Sequence, residues 1–141
     1  MNQGGPMDEK EIKKKILVID DDPDFIKIMT LQLQANHYEV VATSNGKDAM
    51  VLLKTEKPDA VLLDVLMPNQ DGLKLLEKIR KQDKALPIFI VTAFSDEARF
   101  GLAKKLDASG FLVKTGDFQK EIGNITSVLR LSGKFHHSAP G

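Results

Sequence analysis

Apolar positions along this chain follow two alternating rhythms. Unbroken runs appear at Ile16-Leu17-Val18-Ile19, Val61-Leu62-Leu63, Pro87 to Val91 and Gly110-Phe111-Leu112-Val113, and Glu39 to Ala42 adds a further strand-like stretch. Runs this short suit strands, and their continuity predicts burial on both faces. Between them the spacing changes to three and four: Phe25, Ile28, Met29 and Leu33; Ala49, Met50, Leu52 and Leu53; Leu73, Leu75, Leu76 and Ile79; Phe118, Ile122, Ile125 and Leu129. This predicts helices over 23–35, through 49–53, over 72–82 and over 117–131, with a shorter one from a cap at Ser95 or Asp96 to about Leu106. Asp22 suits an N-cap with Pro23 at the first helical position. Ser44-Asn45-Gly46 and Lys57-Pro58-Asp59 are turn chemistry, and Gly133 stops the last helix.

Five strands thus alternate with five helices. Crossovers long enough for a helix, and the right-handed rule for them, predict an α/β doubly wound parallel sheet covered on both faces. Residues 1–14, with Gly4-Gly5-Pro6 and a charged run, are expected to be a tail. Residues 15–132 form one domain, and 133–141 an unstructured end.

Composition narrows the class. The 141 residues carry 42% hydrophobic and 28% charged side chains, with Lys+Arg and Asp+Glu both at 20. Zero net charge argues against a general grip on nucleic acid or anionic membrane. No cysteine is present, which removes disulfides, thiolate metal sites and thiol nucleophiles. No apolar run approaches a membrane span and nothing resembles a signal peptide, so a cytoplasmic protein is expected.

In a parallel sheet every strand's C-terminal end lies at one edge, where open sheets bind ligands. The polar residues at those ends are Asp20, Asp21, Asp64, Thr92 and Lys114. Asp64 follows Val61-Leu62-Leu63 at once, and Met67-Pro68 then turns toward a loop. Crowded carboxylates repel unless a cation neutralises them, and hard oxygen donors suit Mg²⁺, with Mn²⁺ possible. A carboxylate beside such a cation can attack phosphorus to form an aspartyl phosphate, with Lys114 and the Thr92 hydroxyl supporting the phosphoryl oxygens. Taken singly, Thr92 reads as a β-branched strand end and Lys114 as a surface charge; their joint placement carries the argument.

The motifs ILVIDDD, VLLDVLMPNQDG, IFIVTA and GFLVK, in that order over about residues 14–132, resemble the receiver domain of two-component response regulators. The resemblance implies a flavodoxin-like (βα)5 fold with strand order 2-1-3-4-5, a system that is itself a standard example of the doubly wound rule. It implies Asp64 as phosphoacceptor, Asp21 as a direct Mg²⁺ ligand, Asp20 acting mainly through water, and the Leu66 backbone carbonyl as a third protein ligand. Thr92 becomes the switch hydroxyl, Phe111 the switch aromatic and Lys114 the phosphate-binding lysine. The donor would be a histidine kinase or phosphotransfer protein. Output would pass through the face of the fourth helix, fifth strand and fifth helix, to a downstream protein or a homodimer. A signalling domain rather than an enzyme is implied.

Two departures stand out. Thr115 occupies the place where the family usually has proline, so a trans peptide is expected. Phe111 lacks the hydroxyl of the commoner tyrosine, and a plain core role fits it nearly as well. Leu66 and Phe94 flank the expected path of attacking water, which predicts a long-lived phosphoryl group. The chain past Lys114 has room for one helix and a tail, so a stand-alone or excised receiver is expected. Rival readings are weaker. Asp20 and Asp22 match the DxD of a haloacid-dehalogenase-type phosphatase, but Pro23 and the chain length do not. A receiver that never takes phosphate conflicts with the complete acidic set, and a flavodoxin-like cofactor binder would need a Ser/Thr/Gly-rich loop after the first strand.

Overall fold

Residues 13–67, 70–92, 97–114 and 117–131 are described by a computed structural model. The apolar runs are the strands of one sheet: β1 (Lys14–Ile19), β2 (Tyr38–Thr43), β3 (Ala60–Leu63), β4 (Ile88–Thr92) and β5 (Gly110–Val113). The helices are α1 (Pro23–Ala35), α2 (Gly46–Glu56), α3 (Gly72–Gln82), α4 (Glu97–Lys105) and α5 (Phe118–Leu131). The strand order is β2-β1-β3-β4-β5, and every neighbouring pair is parallel. The winding direction reverses beside β1, which opens a crevice at the C-terminal strand ends. This is the flavodoxin-like architecture expected from the sequence.

Strand side chains alternate between two apolar layers. Ile16, Val18, Leu62 and Phe89 meet Phe25, Met29 and Leu33 of α1 and Ile122 and Ile125 of α5. Leu17, Ile19, Leu63 and Ile90 face the other way, against Ala49 of α2, Leu76 and Ile79 of α3 and Ala103 of α4. Each large side chain so buried contributes about 1.5–3 kcal/mol, so the two layers dominate stability. Beneath the second layer Arg80 is also buried, with its guanidinium donating to backbone carbonyls.

Helix ends follow their local chemistry. Asp22 caps α1, its Oδ1 accepting from the amides of Asp24 at 3.0 Å and Phe25 at 3.3 Å, with Pro23 next in the first turn. Asn45 caps α2 and Asp71 caps α3 in the same way. α2 ends at Lys57 in the left-handed region, φ 48, and Pro58 cannot extend it. Asp117 accepts from the Lys120 amide at 3.1 Å as α5 begins.

Two features differ from the sequence reading. β1 begins at Lys14, taking in the last residue of the expected tail, because Lys14 and Lys15 pair with Tyr38 and Glu39 in the parallel ladder. The Lys15 amide is further held by Asp59 Oδ2 at 2.8 Å. And Leu66–Met67 pairs antiparallel with Gln70–Asp71, a short ladder that the apolar pattern does not mark. The expected cap at Ser95 or Asp96 and the stop at Gly133 lie outside the described residues. Among the described residues, no helix is long and apolar enough to cross a membrane.

Candidate functional site

Backbone bonds carry the ladder one residue past each strand and so place the polar residues. The Asp20 amide donates to Thr43 O at 3.1 Å, the Asp64 amide to Ile19 O at 2.9 Å, and the Lys114 amide to Thr92 O at 2.8 Å. Residues from the ends of β1, β3, β4 and β5 are thereby aligned on one edge. Asp20 is 1% exposed and Asp64 5% exposed, while Asp21 lies nearer solvent. Carboxylate oxygens of all three lie within 4.8 Å of one another.

Lys114 bridges the two buried acids. Its Nζ is 2.7 Å from Asp20 Oδ2 and 3.4 Å from Asp64 Oδ2. The other oxygens are held by the backbone: Asp20 Oδ1 accepts from the Asp22 amide at 3.0 Å, and Asp64 Oδ1 from the Leu66 amide at 2.9 Å. Thr92 is buried, and its hydroxyl has no hydrogen-bond partner among the described residues. Phe111 is half-buried and packs against the layer under α2 to α4. Leu66 contributes its amide to the cluster, and its half-buried side chain packs on the same layer. Phe94 and Thr115 fall outside the described residues.

Burial pushes the Asp20 carboxyl up to about 6, with the neighbouring Asp64 charge adding to the rise, against the pull of Lys114 and the Asp22 amide. Burial also disfavours the Lys114 ammonium, but its hydrogen bond to Asp20 and the charges of Asp20 and Asp64 outweigh that and raise its pKa. A desolvated acid pair already drawing in one cation, with a third carboxylate beside it, is a donor set that fits a small hard divalent ion.

Two contributors carry little sequence signal. Gly72 opens α3 against the site: a Cβ there would lie 2.4 Å from Val65 Cα and 2.8 Å from Asp64 O. Only a bare glycine lets the helix approach the acid's own backbone so closely. Phe25 reads in the sequence as core, yet its ring centroid lies 4.1 Å from Lys114 Nζ.

Comparison with known proteins gives the chain's family and its fold. The family profile described as the response regulator receiver domain matches residues 16–125. The chain belongs to the response regulator receiver domain family. The alkaline phosphatase synthesis transcriptional regulatory protein PhoP of Bacillus subtilis is 31% identical over 86% of this receiver chain and 50% of its own length. The chain spans about half the length of the curated relatives it matches. The response regulator TrrA of Thermotoga maritima, solved as a complex with Mg²⁺-BeF, is 32% identical, with TM-score 0.72 over 82% of this chain and 99% of that one. A CheY-like receiver from Methanospirillum hungatei superposes with TM-score 0.79 at 22% identity, covering 86% and 98%. That last likeness bears on the receiver fold alone.

Proposed function

We propose that this receiver is a phosphorylation-dependent switch, in which Asp64 accepts a phosphoryl group from a histidine kinase or phosphotransfer protein. The observation that carries the reading is Lys114 Nζ bridging Asp20 and Asp64. It puts a cation beside the nucleophile and an acid pair beside both. Residues 15–132 make up the switching unit in this reading.

Asp20, Asp21 and Asp64, with the Leu66 carbonyl, would hold Mg²⁺ or Mn²⁺. Such an ion supplies neutralisation of the phosphoryl oxygens. An Asp64 oxygen attacks phosphorus, the bond to the donor nitrogen breaks, and the donor imidazole leaves with that electron pair. Lys114 turns from Asp20 to a phosphoryl oxygen. The Thr92 hydroxyl, buried without a hydrogen-bond partner among the described residues, donates to another. Its shift toward the phosphate gives Phe111 space to move inward and remodels the surface of α4, β5 and α5, which meets the downstream protein or a second copy. Leu66 beside the acceptor would slow hydrolysis.

PhoP is named a transcriptional regulator, but this chain spans about half of it and carries no net charge, so we assign no nucleic-acid contact to the switching unit. Incubation with acetyl phosphate and Mg²⁺, followed by mass mapping, is expected to place one phosphoryl group on Asp64 and to change partner binding or oligomeric state. An Asp64→Asn variant should take none. Modification mapped to Asp20 instead would defeat the reading.

A further inference from the structure

Lys114 has a third neighbour that is not an acid. The Phe25 ring, 3% exposed, presents its face to the ammonium at 4.1 Å. We infer that Phe25 is a positioning residue, whose ring seats the Lys114 ammonium within reach of Asp64 when Asp20 is otherwise engaged. This rests on the reading of Lys114 given above.

The contacts form a closed circuit. Asp20 Oδ1 accepts from the Asp22 amide at 3.0 Å, and Asp22 Oδ1 accepts from the Phe25 amide at 3.3 Å. The Phe25 ring meets Lys114, and Lys114 Nζ returns to Asp20 Oδ2 at 2.7 Å. The residue that holds the lysine thus also fixes the helix turn that carries the ring. A cation entering the cluster would draw on both Asp20 and Asp64, whose oxygens lie among its candidate ligands. Once that happens, the lysine's charged partners are shared. The ring face has no lone pair for a hard cation to take, but its quadrupole still attracts an ammonium. A long flexible side chain would otherwise lose its place on leaving Asp20.

The test uses the full chain with acetyl phosphate and Mg²⁺, reading the initial rate of Asp64 modification by mass. Phe25→Tyr keeps the ring face and should label at close to the parent rate. Phe25→Leu keeps the apolar bulk and should slow labelling about three- to tenfold, the range a partly desolvated cation–π contact supports, at unchanged Mg²⁺ affinity. Independently of any variant's folding, the Lys114 ε-methylene protons of the parent chain should show an upfield ring-current shift that persists when Mg²⁺ is added. A well-folded Phe25→Leu that labels at the parent rate, or absence of that shift with Mg²⁺, overturns the inference. Lys114→Ala separates the two ideas. If it slows labelling while Phe25→Leu does not, only the seat is lost; if it labels normally, the proposed role of Lys114 falls and the seat with it.

Discussion

Two cations bracket β5, Arg80 buried and Lys114 half-buried, and they are held in opposite ways. Ahead of the strand, Arg80 from α3 donates from Nε and Nη2 to Asp107 O at 2.9 and 2.7 Å, and from Nη1 to Leu86 O at 2.6 Å and Asp83 O at 3.0 Å. After the strand, Lys114 lies between two carboxylates and a ring. Burial lowers the Arg80 pKa, with Asp107 and Asp83 opposing, but a guanidinium stays charged at any ordinary pH. Its partners are mainly fixed backbone dipoles, with the Ser109 hydroxyl accepting more weakly from Nη2 at 3.4 Å, and all of them are neutral groups matched by a rigid planar fork. The ammonium's partners are side chains that a metal or a phosphoryl group can claim. One end of the sheet is therefore riveted and the other exchangeable, a division suited to a switch that must keep its fold while its site changes.

The largest effect should come from the riveted end. Arg80→Ala leaves the carbonyls of Asp107, Asp83 and Leu86 without their donors. It is expected to cost about 2–4 kcal/mol by urea denaturation. Arg80→Lys should recover less than half of that, since one ammonium cannot span the Asp107 and Leu86 carbonyls together. Labelling of Asp64 should persist in both under conditions where they are folded. A stable Arg80→Ala chain that no longer accepts phosphate would reverse the comparison.

The two ends were unequally legible in the sequence. The acidic edge could be read because apolar runs fix strand ends, and Asp20, Asp64, Thr92 and Lys114 each stand at one. α3 was readable to its bounds because Gly72 to Gln82 keeps a strict helical period. Arg80 was not, since a basic residue in a helix's last turn ordinarily complements the dipole in solvent. Its burial depends on the Asp107–Ser109 turn, which no local pattern brings near. The Phe25 seat was hidden for the same reason: helical spacing marks Phe25 as apolar without saying that a lysine from the far end of the chain would lie on it. Spacing reports what one element does with its own neighbours; these contacts belong to the packed fold.

A smaller effect, opposite in sign, is expected at the exchangeable end. Asp20 is 1% exposed and its carboxyl is pushed up to about 6, so its charged form is a burden on the metal-free fold. Asp20→Asn keeps the shape and removes the charge. At about pH 8 without metal it should be more stable than the parent by on the order of 2 kcal/mol. Mg²⁺ affinity by calorimetry should fall about tenfold or more. A destabilised Asp20→Asn would mean that the Lys114 bridge outweighs burial, making that cation as structural as Arg80.

The pH dependence of the same difference is a shallow slope at any one pH, and it separates the two ends most cleanly. The Asp20 carboxyl has a folded pKa of about 6 against a usual value of 3.8. Between those values the folded chain holds a proton that the unfolded chain has released, so stability falls as pH rises across the window. Below it both states are protonated and Asp20 contributes no slope. Above it the penalty is complete and flat. The stability gap between Asp20→Asn and the parent should therefore open through this range and level off beyond it, in denaturation curves recorded without metal. The gap between Arg80→Ala and the parent should stay level through the same range, because a guanidinium does not titrate there. A sloping Arg80 gap, or a level Asp20 gap, would show that the buried charge at each end is balanced differently from the way its contacts indicate.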